Sequence, residues 1–526
     1  MQDDSVSLRG QSDHASDVLT KRRMNSSYTA STDPSNSLET QIPRNKNSLL
    51  PSTDPLLQQP QPKKLRVAFI HPDLGIGGAE RLVVDAAVGL QSQGHTVTIY
   101  TSHHDRSHCF EETRDGTVSV HVFGDWLPTT FFGKGGAIVF AILRNLFLAT
   151  VLVVTARNEF DVLFVDQLSV SIPILRLTDA KIMFYCHFPD KLLTKRESLL
   201  KKAYRVPFDF IEEVTTNMAD ITVVNSHFTA SIFKDSFKTI ETRPQVLYPG
   251  IHLTKYDTGV DLLDASVKQL VSTRTTIVSI NRFERKKNIE LAISAFELLK
   301  VHLPKQFAGL RLVIAGGYDI QVAENVEYLQ ELRKQAQGLG LSVYTVGDEE
   351  ESQSIETSQV IFLPSFNDAQ RTYLLATSLC LIYTPSHEHF GIVPVEAMYA
   401  QLPVVAVNNG GPTESVVHGV TGLLCESNPN AFSKAMAELV MDVPKKTQMG
   451  IAGRERILEK FSLDTFISSL ELLLYQVMAT DTTEKVMLAY MTGLALASLL
   501  PDSHGFVAME HVNKGKKETV DHVGSS

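Results

Sequence analysis

The residues best suited to chemistry in this chain are two carboxylates, Glu388 and Glu396, with seven residues between them, in Tyr383-Thr384-Pro385-Ser386-His387-Glu388-His389-Phe390-Gly391-Ile392-Val393-Pro394-Val395-Glu396. The stretch reads as a strand ending at Tyr383, a loop, and a helix opening near Val393. A proline in the first helical turn lacks the backbone donor that would be orphaned there, so Pro394 marks the helix start and leaves the loop amides facing outward. Such amides attract anions and hydroxyl groups. Glu388 lies in the loop and Glu396 is expected in the first turn, so both acids flank this helix mouth. Paired acceptors suit paired hydroxyls, which a nucleotide sugar carries on its ribose and on its hexose. Acids that merely cap a helix are the plainer alternative.

The same pair, with its internal His389-Phe390-Gly391 and the downstream Asn408-Asn409-Gly410-Gly411-Pro412-Thr413-Glu414, resembles the retaining glycosyltransferases of family 4. The resemblance implies an α/β protein of GT-B fold, with two Rossmann-like doubly wound domains facing a cleft. It implies that His389, Phe390, Gly391, Ile392 and Val393 bind the donor, that Glu388 binds sugar hydroxyls and that Glu396 binds the ribose. In Asn281-Arg282-Phe283-Glu284-Arg285-Lys286-Lys287-Asn288, Arg282 and Lys287 match the family's two cations for the donor diphosphate. A fork-shaped guanidinium and a point-charge ammonium are what a diphosphate leaving group calls for. Arg285 and Lys286 read as a solvated turn. His187, in Cys186-His187-Phe188-Pro189-Asp190, follows a strand, where catalytic side chains of open α/β sheets collect. By resemblance it bonds a donor-sugar hydroxyl while Asp190 orients the loop; a backbone bond is the alternative. Glu388, His187, Lys287 and Arg282 are the expected catalytic residues.

Further stretches, among them His71-Pro72-Asp73-Leu74-Gly75, Gly124-Asp125-Trp126-Leu127-Pro128 and Leu193-Thr194-Lys195-Arg196, are similar to the eukaryotic mannosyltransferases of dolichol-linked oligosaccharide assembly, over about residues 65 to 478. This implies GDP-mannose as donor and a monomannosyl-chitobiosyl-diphosphodolichol as acceptor, with an α-1,3 and then an α-1,6 mannose added. It also implies work on the cytosolic face of the endoplasmic reticulum membrane, where other transferases of the same assembly are candidate partners. No Asp-x-Asp occurs, so the metal clamp of the other main sugar-transferase architecture has no candidate, and neither an obligate metal nor a permanently bound cofactor is expected. Front-face attack and double displacement through a carboxylate nucleophile both stay open. The rivals are a family 4 enzyme with another nucleotide sugar or lipid acceptor, a nucleotide-sugar epimerase, and a membrane-bound scaffold without turnover.

These residues need strand-helix units to hold them. Leu65 to His71 reads as a buried strand, followed by the Gly75-Ile76-Gly77-Gly78 turn and a helix over Arg81 to Gln91. A dinucleotide fingerprint would need a third glycine where Glu80 stands, so Gly77 and Gly78 fit better as a turn that lets a phosphate or sugar approach the backbone. Strands follow at 95–101, 161–166, 181–187 and 220–226, then at 276–281, 310–316, 342–347, 379–383 and 403–407. Gly316-Gly317 is expected to turn tightly beside the nucleotide. The division expected is a polar tail over 1–64, an acceptor- and membrane-facing domain over 65–248, a donor-binding domain over 249–462, a helix over 463–479 packing back on the first domain, and a tail over 480–526.

At 526 residues with 43% apolar content, the chain has room for two or three domains with substantial cores. A formal charge of −10 argues against a nucleic-acid partner. The four cysteines follow no metal spacing and read as reduced. Gly136 to Val154 is strongly apolar, but a central Arg144 costs about 2.5–3.5 kcal/mol on insertion scales, which favours packing in the core or lying in a membrane interface. Lys191, Lys195, Arg196, Lys201 and Lys202 alternate with leucines, as in a basic amphipathic helix over 191–204 that meets an anionic bilayer or simply a solvated face. Val486 to Leu500 is too short to span and reads as a docked or interfacial helix.

Overall fold

The structure, a computed structural model, describes residues 63–130, 136–193, 199–348, 354–481 and 487, with the backbone alone at 193 and 199–204. Among these residues the chain forms two parallel sheets of seven strands each. The first contains β1 (Arg66–His71), β2 (Thr96–Thr101), β3 (Ser119–Val122), β4 (Val162–Asp166), β5 (Lys181–Cys186), β6 (Ile221–Val224) and β7 (Gln245–Val246), in the order β3-β2-β1-β4-β5-β6-β7. The second contains β8 (Thr275–Ile280), β9 (Leu310–Gly316), β10 (Val343–Thr345), β11 (Val360–Pro364), β12 (Leu381–Tyr383), β13 (Val404–Val407) and β14 (Gly422–Cys425), in the order β10-β11-β9-β8-β12-β13-β14.

Strands covered by helices on both faces must be apolar throughout, which is why β1, β4, β5 and β9 read as continuous hydrophobic runs. Chain order reverses between β1 and β4 in one sheet and between β8 and β12 in the other. Ligands of open α/β sheets bind at such switch points, beyond the carboxyl ends of the strands. His71 and Asp166 end β1 and β4, the turn at 281–288 follows β8, and the loop at 384–391 follows β12. Within each lobe, sheet topology therefore brings these segments to one edge.

The helix Leu463–Met478 leaves the C-terminal lobe and buries Phe466, Ile467, Leu470, Leu473, Leu474 and Val477 against Val83, Ala86 and Leu90 in the core of the N-terminal lobe. Its Glu471 lies 2.9 Å from His95 Nε2. The helix Ala137–Ala156, 20 residues with mean hydropathy 2.4, is long and apolar enough to cross a membrane by length and composition. Yet Arg144 and Asn145 at its centre are buried, and Arg144 donates to the carbonyls of Leu127 and Asp125. Leu148, Ala149, Leu152 and Ala156 join the core, while Leu143 and Val154 are exposed.

Several local expectations are corrected. Strands β3, β7, β11 and β14 were not anticipated. The helix after the glycine turn spans Gly78–Ser92 and begins earlier than Arg81. The basic stretch at 191–204 belongs to a short helix, Asp190–Leu193, and to the longer Leu199–Asn217, with 194–198 outside the described residues. Of 486–500 only Met487 is described. All four cysteines are free and buried.

Candidate active site

The C-terminal lobe supplies a compact polar wall. The loop after β12 is clasped by the Asn409-Gly410-Gly411 turn. Asn409 Oδ1 accepts the His387 amide at 2.8 Å, and a Cβ on Gly410 would lie 2.6 Å from the Glu388 carbonyl oxygen. With φ at +65°, Gly410 sits in a region that favours glycine, so both geometry and space call for it there. Gly391, Phe390 and His389 complete the loop, and the helix Ile392–Tyr399 follows, with Ile392 and Val393 in its first turn.

Glu388 Oε2 accepts from Lys287 Nζ at 2.5 Å, both side chains being mostly buried. Lys287 is fixed from behind, because its carbonyl accepts the Thr384 hydroxyl at 2.8 Å. The pair thus ties the β8 turn to the β12 loop across the switch point. Arg282 is more open by comparison: its side chain is 68% exposed, with Glu284 3.8 Å away. Its aliphatic stem lies beside Gly317, where a Cβ would come within 3.4 Å of Arg282 Cγ. Gly316 serves the backbone packing of β9 on β8. A Cβ there would fall 1.6 Å from the Asn281 carbonyl oxygen, so the end of β9 can pack against the end of β8 only as glycine.

Glu396 sits in the second helical turn, since the helix starts at Ile392, and not in the first as expected. It is buried, accepts from Tyr256 Oη at 2.6 Å and lies 3.9 Å from Arg371. Burial raises its pKa above the usual carboxylate value, against the opposing charge of Arg371 and the Tyr256 hydrogen bond. Beyond Gly316-Gly317, Tyr318, Arg333, Thr345, Val346, Gly347 and Asp348 line a cavity of about 290 Å³, with Arg333 and Asp348 paired at 2.8 Å.

The N-terminal lobe supplies the opposite wall. His187 follows β5, its ring 4.7 Å from that of Tyr185 and its Nε2 2.9 Å from Asp166 Oδ1. The other oxygen of Asp166 is 2.8 Å from His71 Nδ1. Burial by itself would raise the Asp166 carboxyl, but His187 and His71 hold it at about 2. Burial likewise opposes a charged His71, yet hydrogen bonds and charge from Asp166 and Glu80 raise it to about 9. Gly77, extended, caps the helix Gly78–Ser92, with the Glu80 carboxylate over it, while Gly78 has open space. Asp190 accepts from Arg205 at 2.8 Å, fixing the loop after His187.

The walls touch. The rings of Phe188 and His389 stack at 3.8 Å with an interplanar angle of 9°, and Ser226 Oγ donates to the His389 carbonyl at 2.5 Å. Burial lowers the His389 imidazole to about 4. Glu414 accepts the amides of His227 and Phe228 at 2.8 and 2.7 Å, capping a helix of the other lobe, and also the Tyr248 hydroxyl at 2.9 Å. Among the described residues no group of three or more His, Cys, Asp or Glu side chains could hold a metal ion.

The structure therefore joins Lys287 to Glu388 and sets His389 against the His187 loop. Glu396 lies in the same helix, and Arg282 is beside the turn. Lys191 does not face outward: it donates to Glu213 at 3.3 Å and to the Ser236 carbonyl, and lies over the Phe237 ring. Lys195 and Arg196 fall outside the described residues, as do the side chains of Lys201 and Lys202. Sequence reasoning missed His71, Asp166, Glu80, Tyr256 and Glu414. The one usable signal was position, since His71 and Asp166 each end an apolar strand.

Comparison with known proteins matches residues 76–255 to the model described as Glycosyltransferase Family 4 and residues 264–456 to that described as Glycosyl transferases group 1. The Alpha-1,3/1,6-mannosyltransferase ALG2 of Rhizomucor pusillus is 53% identical over 429 residues, covering 80% of this chain and 94% of that protein. That of Homo sapiens is 49% identical over 413 residues, covering 77% and 95%. Among solved structures, the sucrose-phosphate synthase of Thermosynechococcus elongatus superposes with a TM-score of 0.61 at 18% identity, covering 79% of this chain and all of that one. Anabaena HepE in complex with UDP and glucose gives 0.56 at 19%, covering 78% and 100%. These neighbours share the GT-B fold.

Proposed function

Since this chain belongs to the family of ALG2 alpha-1,3/1,6-mannosyltransferases, we propose that it transfers mannose, with retention, from GDP-mannose to a dolichyl-diphosphate oligosaccharide in the assembly of the N-glycan precursor. It adds an α-1,3 and then an α-1,6 residue to Man1GlcNAc2-diphosphodolichol. The observation that supports this use of the cleft is the Lys287–Glu388 pair at the β8/β12 switch point. In the free enzyme each neutralises the other. When the donor binds, its diphosphate takes over the Lys287 ammonium, and Glu388 is released to accept hydroxyls of the mannose. Arg282, exposed and close to Gly317, meets the same diphosphate.

As the bond from the anomeric carbon to the diphosphate breaks, negative charge grows on the departing oxygen, and fixed cations there act in the transition state more than in the ground state. The acceptor hydroxyl oxygen forms the new bond to carbon and gives its proton to the departing diphosphate oxygen. Glu396 is held by Tyr256, and Glu388, once released, is occupied by the mannose hydroxyls, which favours attack from the leaving-group face over a carboxylate nucleophile. His187 and Gly77-Gly78 approach the transferred sugar and the acceptor from the N-terminal lobe. The cavity at Tyr318, Val346 and Asp348 suits the nucleoside base, being the recess next to the diphosphate turn.

The acceptor is carried by a lipid, and the N-terminal lobe has apolar side chains to meet a bilayer. Trp126 is 73% exposed and contacts Phe147, Leu143 and Val154 are exposed on the same helix, and Val206 and Phe210 lie one turn apart on another. These side chains support contact with a membrane surface; work at the endoplasmic reticulum from the cytosolic side, alongside other transferases of the assembly, follows from the proposed acceptor. The test is a donor panel. The purified protein is incubated with GDP-mannose, UDP-glucose or UDP-N-acetylglucosamine and a phytanyl-linked acceptor. Acceptor-dependent release of GDP alone supports the reading, and consumption of another donor, or turnover without acceptor, contradicts it.

A further inference from the structure

A row of ionisable groups crosses the N-terminal lobe beneath the cleft. Its members come from three neighbouring strands, His71 from the end of β1, Asp166 from the end of β4 and His187 from just after β5. The register makes this unavoidable. Ile70 pairs with Val165, which sets His71 beside Asp166, and Asp166 pairs with Tyr185, two residues before His187 and therefore on the same face of the sheet. Asp166 has no solvent exposure and presents one oxygen to each imidazole. Behind His71, Glu80 lies 3.8 Å from Nε2. His187 keeps 24% exposure although its Nε2 is buried, so the exposed edge of the ring is the one turned away from Asp166.

A carboxylate buried without compensation is costly, and cores seldom retain one that packing alone would replace. Here it is compensated twice, by a wholly buried histidine on one side and a partly exposed histidine at the cleft on the other. This is the arrangement by which a buried acid sets the tautomer and direction of a working imidazole. We propose that Asp166, braced by His71, is a positioning residue for the transfer reaction: it holds His187 with the Nε2 proton turned inward, so that Nδ1 is offered to a sugar hydroxyl as a hydrogen-bond acceptor. The inference rests on the reading of His187 given above. The 2.9 Å approach lacks the alignment of a full hydrogen bond, and in ligand-free enzymes such contacts commonly tighten only when substrate binds. The groups facing His187 are Asp166 from β4, Tyr185 from β5 and His389 from the opposite lobe, with His71 and Glu80 behind Asp166.

The test uses full-length protein in two arms. The first is NMR of 15N-histidine-labelled enzyme, with the His187 signals assigned by their loss in His187→Ala. The wild type is expected to hold the Nε2-protonated tautomer, and Asp166→Asn to abolish that preference. An unchanged tautomer in Asp166→Asn would overturn the proposal. The second arm is a double-mutant cycle. Asp166→Asn is expected to lower kcat about 100-fold with KM for GDP-mannose within about threefold, yet to cost less than about threefold once His187 is already alanine. The same loss in both backgrounds, or an effect confined to KM or to the melting temperature, would overturn it. If Asp166→Asn does not fold, by circular dichroism, His71→Gln takes its place in both arms, with a loss of about tenfold in kcat expected and the same non-additivity. A wild type that ignores GDP-mannose would defeat the functional reading, and the NMR arm would still decide whether Asp166 positions His187.

Discussion

Replacing Lys287 by alanine is the most informative single perturbation of the donor side. The ammonium is 2.5 Å from Glu388 and held by the Thr384 contact to its own carbonyl, so it is already in place before a donor arrives. At an effective dielectric of about 20, unit charges 4 Å apart interact by about 4 kcal/mol. Part of that acts equally on bound donor and on transition state. Loss of one preorganised donor to a developing oxyanion costs about 2.7–4 kcal/mol in other active sites, or roughly 10²–10³ in kcat. We expect Lys287→Ala to fall in that range with the fold retained, because the pair joins two loops outside the sheet cores; leaving the mostly buried Glu388 without its partner costs roughly 1–3 kcal/mol. Each kcal/mol corresponds to roughly 2–4 °C for a lobe of this size. The assay is initial-rate GDP release at saturating GDP-mannose and acceptor, with a melting curve on the same sample. A kcat within twofold of wild type would remove Lys287 from the reaction, and a loss of activity matched by collapse of the fold would refute the claim that its role is electrostatic.

The ionisation of the buried row gives a stability prediction with a definite sign. His71 is raised to about 9 from an ordinary 6.5, so its contribution is fully present below about 6.5 and is lost as pH rises through 9, whereas Asp166, held at about 2, keeps its contribution until strongly acid pH. Wild-type melting temperature should therefore fall between pH 6.5 and 9.5 more steeply than that of His71→Gln, and parallel slopes would contradict the assignment. Glu414→Ala removes a cap that joins the lobes and is worth about 0.5–2 kcal/mol, so the variant should show a larger radius of gyration in solution scattering and a KM for donor raised several-fold. Unchanged scattering and KM would mean that the contact does not hold the cleft. Because Lys287 and Arg282 meet the diphosphate charge in this account, exhaustive dialysis against EDTA should leave at least about half of kcat, as catalysis here is assigned to preorganised protein charges; abolition reversed by a divalent cation would contradict it.

Much of this architecture could be read along the chain, for a physical reason. Strands buried on both faces announce themselves as apolar runs, and the turns after β1, β8 and β12 carry glycine, basic or acidic residues that stand out against them. The exceptions were the edge strands β3, mostly exposed and without an apolar run, and β7, only two residues long, and β11 and β14, four or five residues long and bounded by proline or glycine. Lys287 and Glu388 could be paired only through the resemblance to family 4, since 101 residues separate them. His71 and Asp166 are 95 residues apart, and nothing in their spacing links them. Only the strand order places β4 between β1 and β5. Glu414 was visible in its motif, but its partners belong to the other lobe. Glu396 was misplaced by one turn because the helix begins two residues before Pro394, and Lys191 was read as a surface cation although Glu213 and Phe237 draw it inward.

The most direct measurement is the linkage of the product formed by the purified enzyme from GDP-mannose and a phytanyl-linked Man1GlcNAc2-diphosphate. Digestion with linkage-specific mannosidases should reveal an α-1,3 mannose in the first product and an added α-1,6 mannose in the second, both lost in Lys287→Ala. Products of any other linkage, or transfer undiminished in that variant, would contradict the account.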